Sequence, residues 1–132
     1  MTLRSAIEEA VYRIKMWLQR KFRGYSDNEI WNLDDAIVRF VLPRLKVFRE
    51  QTMGYPVYMG SLEEWQSKLD EMIWAFEFLQ SDESPYVELK EKYGDEKNEE
   101  GKFRYIEEYK KINKRYEDAM TMFGKYMHHL WF

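Results

Sequence analysis

Apolar residues recur every three or four positions along almost the whole chain, and this spacing predicts α-helices. In the first stretch it predicts a helix over about 3–22, which ends before Gly24, because glycine readily adopts the left-handed turn that stops a helix. The apolar positions of this helix are Leu3, Ile7, Val11, Ile14, Leu18 and Phe22. No segment alternates with the two-residue period of a strand, so the pattern predicts an all-α fold.

A second apolar repeat predicts a helix over about 30–51. Several residues can cap its start. The candidate caps are Ser26 with Glu29 three residues later, Asn32, and Asp34. Pro43 lies inside this repeat and cannot donate an amide hydrogen to the carbonyl of Arg39, so the sequence predicts that the second helix is kinked at Pro43.

The third helix is predicted over about 62–79, and Ser61 followed by Glu64 is the capping box that opens it. Its second half, residues 72–79, is apolar nearly all round and carries one carboxylate, Glu77. A helix with apolar residues on all sides is normally covered on several sides, so we expect this helix at the centre of the fold.

The last third of the chain is predicted to form a short helix near 85–93, a mobile acidic segment at about 94–102, and a long helix over about 103–130. Gly124 lies within the long helix, where glycine costs about 1 kcal/mol unless close packing requires it. We therefore expect residues 1–132 to form a single-domain helical bundle of four main helices plus the short one.

Composition narrows the class of protein. The chain has 132 residues, no cysteine and 17% aromatic residues, so disulfides, thiolate metal sites and a cysteine nucleophile are excluded. No run of 18 apolar residues is present, and the first ten residues contain no apolar signal region. We therefore expect a cytoplasmic protein that does not enter a membrane.

Charge is distributed unevenly along the chain, although the net charge is only -3. Residues 1–23 carry six Arg and Lys against two Glu, whereas residues 61–101 carry four Lys against thirteen Asp and Glu. Each basic stretch is diluted by Glu on the same helix, so binding to duplex nucleic acid is disfavoured. The basic and acidic segments could pair with each other either within one chain or between subunits.

The sequence lacks the motifs of an enzyme or a metal site. It has no glycine-rich phosphate loop, no His-Glu-x-x-His and no Glu-x-x-His of the kind that builds di-iron sites on helical bundles. Its carboxylates do not follow the Glu-Glu-x-x-Glu and Glu-x-x-Asp pattern of helical magnesium-dependent pyrophosphohydrolases. His128 and His129 are adjacent, so on a helix they point about 100° apart and cannot chelate one ion. We expect no catalytic residue, no metal and no cofactor.

Residues 31–35 form the most distinctive stretch, since a large ring and short polar side chains meet at a predicted helix start. One interpretation is a capping turn whose Trp31 anchors the core. The other is that Trp31, Asn32 and Asp35 line one side of a binding cleft, with the indole as a stacking surface.

Arg39 and Arg44 flank the predicted kink, and two guanidinium groups can grip a phosphate or carboxylate at two points. The competing interpretation is surface ion pairing with Asp35 or Glu50. We predict that further residues complete the same cleft. They are Tyr55 and Tyr58, which otherwise anchor a loop to the core; Trp74; and Glu77, which we expect to pair with a basic residue.

Several strings of the sequence resemble a widespread set of small, uncharacterised proteins encoded by tailed bacteriophages. The resemblance covers about residues 25–80 and extends in general character to the final helix. The strings are Trp31-Asn32-Leu33-Asp34, residues 40–48, Gly54-Tyr55-Pro56, Glu64-Trp65 and residues 69–77. The resemblance implies a phage accessory protein that counters host defence by binding something in the bacterial cytoplasm, and it implies no catalytic residues.

Two functions from different classes follow. The first is a non-catalytic counter-defence protein that sequesters a nucleotide-like or anionic small ligand in an aromatic, arginine-lined cleft. The alternative is a protein-protein interaction module, either a homo-oligomer of two or more chains or an inhibitor of a host defence protein. The apolar helix at 62–79 motivates the second function, because so short a chain offers little to cover it.

Overall fold

The computed structural model describes residues 2–81, 85–94 and 99–132, and within these ranges the chain is helical and contains no strand. The all-α class predicted from the sequence is therefore confirmed. The α-helices are α1 (Leu3–Arg23), α2 (Asp27–Trp31), α3 (Leu33–Gln51), α4 (Leu62–Gln80), α5 (Pro85–Leu89) and α6 (Glu99–Tyr126). Shorter 3₁₀ turns occupy Val57–Met59 and Met127–His129, and a π-helical turn, Lys90–Gly94, follows α5.

The predicted second helix is two helices in the structure. The Ser26 amide donates to the Glu29 carboxylate at 2.8 Å, which closes the predicted capping box and starts α2. After Trp31, the Asn32 carbonyl accepts the Ala36 amide at 3.0 Å and so begins α3. Two of the candidate caps are therefore used, one for each helix. Pro43 lies inside α3, and the kink there stays a prediction.

The chain forms two compact units, Met1–Arg39 and Phe40–Phe132. A single domain over 1–132 stays a prediction. The mobile segment predicted at 94–102 includes residues 95–98, which lie outside the described residues.

In the first unit, polar contacts hold α1 against α2. The Gln19 amide nitrogen donates to the Asp27 carboxylate at 2.9 Å, and the Asp27 backbone amide donates back to the Gln19 side-chain oxygen at 2.9 Å. Arg20 pairs with Glu29 at 2.8 Å. The turn between the helices is made by Gly24, whose φ of 86° is in the left-handed region that glycine adopts without strain. This predicted end of the first helix is confirmed.

In the second unit, α4 supplies the core. Its buried residues are Trp65, Leu69, Met72, Ala75 and Phe76. The Phe76 ring meets Phe123 of α6 edge to face, with 5.0 Å between ring centroids. The central position predicted for this helix is thus confirmed within the second unit, and Ser61 caps it by accepting the Glu64 amide at 3.1 Å.

An aromatic cluster joins α4, α5 and α6. Phe78 of α4 contacts Tyr86 of α5 at 5.2 Å and Tyr116 of α6 at 5.4 Å between ring centroids. Tyr86 in turn lies 4.8 Å from Tyr109, and its hydroxyl donates to the side-chain oxygen of Asn113 at 3.2 Å. Part of the high aromatic content therefore serves packing between these helices.

Two ion pairs tie α3 to α4 at the surface of the second unit. Lys46 pairs with Glu77 at 2.9 Å, and Arg49 contacts both oxygens of Asp70, at 2.9 and 3.2 Å. Hydrogen bonding to Asp70 raises the pKa of Arg49 above its ordinary value. These ion pairs supplement the buried apolar residues of α3, which include Leu42 and Leu45.

Candidate functional site

An open groove lies between α3 and the C-terminal end of α6, and its volume is about 400 Å³. We call it the Arg44 groove. Its lining residues are Phe40, Val41, Arg44, Leu45 and Phe48 from α3, and Phe123, Met127 and Leu130 from α6 and the segment after it. Seven of these eight residues are apolar and three carry phenyl rings. The groove therefore offers flat apolar surfaces and one cationic group.

The helical repeat explains this lining. Phe40, Arg44 and Phe48 are spaced four residues apart, which places them on one side of α3. The Arg44 guanidinium lies over the Phe40 ring, 4.0 Å from the ring centroid, and its Nη1 donates to the Phe40 carbonyl at 2.8 Å. These contacts hold the guanidinium at the edge of the groove.

Arg44 has no carboxylate partner among the described residues, in contrast to the other cations of α3. Arg39 pairs with Asp35 at 2.8 Å, and Lys46 and Arg49 pair with acidic residues of α4. One Arg44 hydrogen is used by the Phe40 carbonyl, and a guanidinium has five. Arg44 can therefore donate to an anion in the groove.

Four predicted site residues belong to the first unit. Trp31 is 73% exposed, so the interpretation that it anchors the core is wrong. Asn32 lies between α2 and α3, where its backbone amide donates to the Asn28 carbonyl at 3.1 Å. Asp35 and Arg39 form the exposed ion pair that was the competing interpretation for Arg39.

The other predicted site residues lie in the second unit, in different settings. Arg44 lines the groove just described, whereas Tyr55 lines a separate depression of about 340 Å³ together with Trp65 and His129. The Tyr58 hydroxyl lies 2.8 Å from Nε2 of His129.

Trp74 and Glu77 both make contacts between helices. Trp74 stacks on Phe78 at 5.4 Å and lies under the Arg115 guanidinium. Glu77 pairs with Lys46, as the sequence led us to expect, although both side chains are about half exposed and the pair is not buried. The side chains of Trp74 and Glu77 are therefore already in contact with other residues of the chain.

Sequence reasoning missed most of the Arg44 groove. Phe123, Met127 and Leu130 were predicted as one apolar face of the last helix, and helical spacing does not distinguish a groove wall from a core face. The available signal was the spacing of Phe40, Arg44 and Phe48, which places a cation between two rings on one helix face.

No group of three or more His, Asp and Glu residues in the described part of the chain is arranged to hold a metal ion. The His128 and His129 rings lie 3.9 Å apart, and His129 is engaged by Tyr58. None of the described helices is both long enough and apolar enough to cross a membrane.

Comparisons with protein-family models, with curated proteins and with solved structures find no match to this chain. Its function is therefore argued from the grooves, charges and exposed surfaces themselves.

Proposed function

We propose that this chain is a non-catalytic binding protein and that the Arg44 groove takes a small ligand with a flat ring and an anionic group. The observation that carries the proposal is a guanidinium without a carboxylate partner, among the described residues, at the edge of an apolar groove. A nucleotide has both parts, and so does an aromatic carboxylate. Nucleotides and aromatic carboxylates both need a flat apolar surface and a cationic group, and the experiment below distinguishes between them.

Size and lining support a small ligand. The volume of about 400 Å³ falls within the usual range of ligand pockets, about 300–1,000 Å³, which are also mostly apolar with a few polar groups. Stacking of a base on an aromatic side chain contributes about 1–3 kcal/mol. Phe40 and Phe48 line the groove, and each has one ring face in contact within the chain, with Arg44 and with Phe132 respectively. Their other faces are the candidate surfaces for such stacking.

The anionic group is argued from Arg44. A hydrogen bond to a charged group contributes about 1.5–3 kcal/mol, and the two-point geometry of guanidinium suits phosphate and carboxylate. Because Arg44 is already held by Phe40, little side-chain freedom is lost when an anion binds.

The resemblance to phage proteins extends this proposal to a biological role. A protein made in a bacterial host that holds a nucleotide-like signal without converting it would lower the free concentration of that signal. We propose this sequestering, counter-defence role for the chain. It is supported by the resemblance of residues 25–80 and by the groove, and it requires no catalytic residue.

Isothermal titration calorimetry with adenosine monophosphate, with neutral adenosine and with indole-3-acetate tests the proposal. We expect the anionic ligands to bind and adenosine to bind at least about tenfold more weakly, since the charged contact is worth more than 1.4 kcal/mol. The ratio of the two anions then separates nucleotides from aromatic carboxylates. Recovery of the bound ligand unchanged after heat denaturation is the expected sign of sequestration.

Arg44→Gln is the decisive variant, and Lys46→Gln is its matched control. Both remove one positive charge from α3, but Lys46 pairs with Glu77 and does not line the groove. We expect Arg44→Gln to weaken anion binding about tenfold or more and Lys46→Gln to change it little. Equal effects of the two variants, or no binding of either anion, would rule out the groove as the ligand site.

A further inference from the structure

Helix α1 has two different sides within the first unit, and its apolar side is exposed. The side that meets α2 carries Gln19 and Arg23, which bond to Asp27. The opposite side carries a continuous stripe of large apolar side chains. We call it the α1 stripe; its residues are Leu3, Ile7, Val11, Ile14, Leu18 and Phe22, and they are between 40% and 80% exposed. Trp17, 56% exposed, borders the stripe.

We infer that the α1 stripe is the contact surface for a second copy of this chain, with the two α1 helices antiparallel. The inference goes beyond the proposed ligand groove and does not depend on it. It gives the interaction role predicted from sequence a definite surface and partner. The apolar helix that motivated that role, α4, carries buried residues of the second unit, whereas the apolar stripe of α1 is exposed.

The spacing of the stripe is self-complementary. Counted from either end, its residues are separated by four, four, three, four and four positions. An antiparallel second copy therefore presents the same spacing in reverse. Leu3 then faces Phe22 of the second copy, Ile7 faces Leu18, and Val11 faces Ile14. Pairing of a surface with itself about a two-fold axis is the commonest symmetry of homo-oligomers.

The charges beside the stripe also favour antiparallel copies. Glu8 and Lys15 are seven residues apart and so lie on the same flank of α1. In an antiparallel pair, each flank of α1 meets the same flank of the second copy. Glu8 of one copy then lies within about half a helical turn of Lys15 of the other copy. Glu8 accepts from Arg4 through one oxygen at 3.0 Å, which leaves the other oxygen for this contact.

A parallel pair lacks this match. It would place the flank of Arg4, Glu8 and Lys15 against the opposite flank, which carries Arg13 and Lys21. Glu8 would then no longer face Lys15 of the second copy, and the contact between these opposite charges would be lost. The antiparallel arrangement also places the large Trp17 near the small Ala6 and Ala10 of the second copy.

The exposed surface is large enough for a stable contact. The exposed parts of the stripe and Trp17 amount to on the order of 800 Å² per copy, which is about what each partner contributes to a standard protein-protein interface. A stripe of this size is also larger than the apolar patches usual on monomers.

Disulfide trapping tests the antiparallel arrangement of the two α1 helices. Because the chain has no native cysteine, only the introduced cysteines can form a crosslink. Ile7→Cys and Leu18→Cys are prepared separately, then oxidised alone and as a mixture. Antiparallel copies predict a crosslinked dimer in the mixture and little in either variant alone. Crosslinking of each variant with itself would indicate parallel helices, and no crosslinking in any sample would indicate no pairing; either result overturns the inference.

Light scattering tests whether the contact forms in solution. We expect twice the chain mass of 16.3 kDa for the native sequence and at least about tenfold weaker association for Ile14→Glu. Met53→Glu is the control, because Met53 is 81% exposed but lies outside α1. Circular dichroism confirms that Ile14→Glu stays helical. A native monomer, or a dimer that Ile14→Glu leaves intact, overturns the inference.

A charge exchange gives a second test that leaves the apolar stripe unchanged. Glu8→Lys and Lys15→Glu should each weaken association, and the double variant should recover it. Additive losses in the double variant would contradict the antiparallel contact. Ligand binding measured in Ile14→Glu should equal that of the native chain, so failure of the α1 contact and failure of the Arg44 groove are distinguishable.

Discussion

The Arg115 guanidinium lies over the Trp74 indole, 3.7 Å from the ring centroid, and reaches past it to both oxygens of Glu71 at 2.9 and 3.2 Å. One side chain of α6 thus makes a cation-π contact and a two-point ion pair with α4. The indole that the sequence suggested as part of a ligand cleft is covered on this face by a residue of its own chain.

Removal of this arginine should destabilise the second unit measurably. For Arg115→Ala we expect a loss of about 1 kcal/mol in the free energy of unfolding, because a partly exposed cation-π contact and a partly exposed ion pair each contribute at most about 1 kcal/mol. Arg115→Lys should recover part of the loss, since it keeps the charge without the flat stacking surface. Urea unfolding measures both.

Lys114→Ala is the matched control for Arg115→Ala. Lys114 is the neighbouring residue and pairs with Asp118 at 2.9 Å, but both side chains are well exposed. Such pairs contribute less than about 0.5 kcal/mol. A loss in Lys114→Ala as large as that in Arg115→Ala would contradict the role assigned to the Trp74 contact.

The core of the second unit depends on Phe76. Its side chain is fully buried and meets Phe123 edge to face. For Phe76→Ala we expect a loss of about 3–5 kcal/mol, because both the transfer free energy and the cost of a cavity are incurred. Met53→Ala, at an 81% exposed position, should change the free energy of unfolding by less than about 0.5 kcal/mol. Thermal unfolding of both variants checks the contrast.

Two glycines should respond to alanine in opposite directions. Gly24 has a φ of 86°, so alanine there is strained and we expect a loss of about 1 kcal/mol. Gly124 lies inside α6, where an added Cβ meets no described atom within 4 Å. The close packing suggested for Gly124 from the sequence is therefore wrong, and Gly124→Ala should stabilise by about 0.5–1 kcal/mol. Chemical denaturation measures both, and effects of the same sign would refute the contrast.

Acid should loosen the contact between α1 and α2. Hydrogen bonding to Arg23 and Gln19 lowers the pKa of Asp27, and hydrogen bonding to the Ser26 amide lowers the pKa of Glu29. A lowered folded-state pKa contributes stability that is present above the ordinary pKa of the group and is lost as the pH falls through the lowered value. The loss should therefore occur below about pH 4.

Amide hydrogen exchange in α1 and α2 between pH 5 and pH 3, after correction for intrinsic rates, measures this effect. We expect protection to fall with pH in the native chain. Asp27→Asn removes one of the two carboxylates, so its protection should be lower at pH 5 and should fall less on acidification. An unchanged acid dependence in Asp27→Asn would show that Asp27 does not carry the effect.

Some structural features that depend on residues close together in sequence were predicted correctly. The end of α1 at Gly24 and the cap of α4 at Ser61 follow from residues within one helical turn, and both predictions are confirmed. The break at Asn32 was not predicted, because Ser26 and Asn32 are each good caps and sequence alone does not say that both are used.

Contacts between distant helices were beyond sequence reasoning. Glu77 was expected to pair with a basic residue, but nothing in the spacing indicated Lys46, which lies on another helix. Arg115 and Trp74 are still farther apart in sequence. The site was also predicted only in part. Arg44 was identified as a candidate for binding an anion. The apolar residues that α6 contributes to its groove were predicted as an ordinary core face.

The aromatic cluster around Tyr86 gives the protein an optical signal of its own. Tyrosine rings fixed in asymmetric surroundings contribute to near-ultraviolet circular dichroism, and tyrosinate absorbs at longer wavelength than tyrosine. Burial raises the pKa of Tyr86 above its ordinary value, so its phenol should ionise late in an alkaline titration. A late-ionising component among the ten tyrosines would therefore report on the packing of Tyr86 of α5 against α4 and α6.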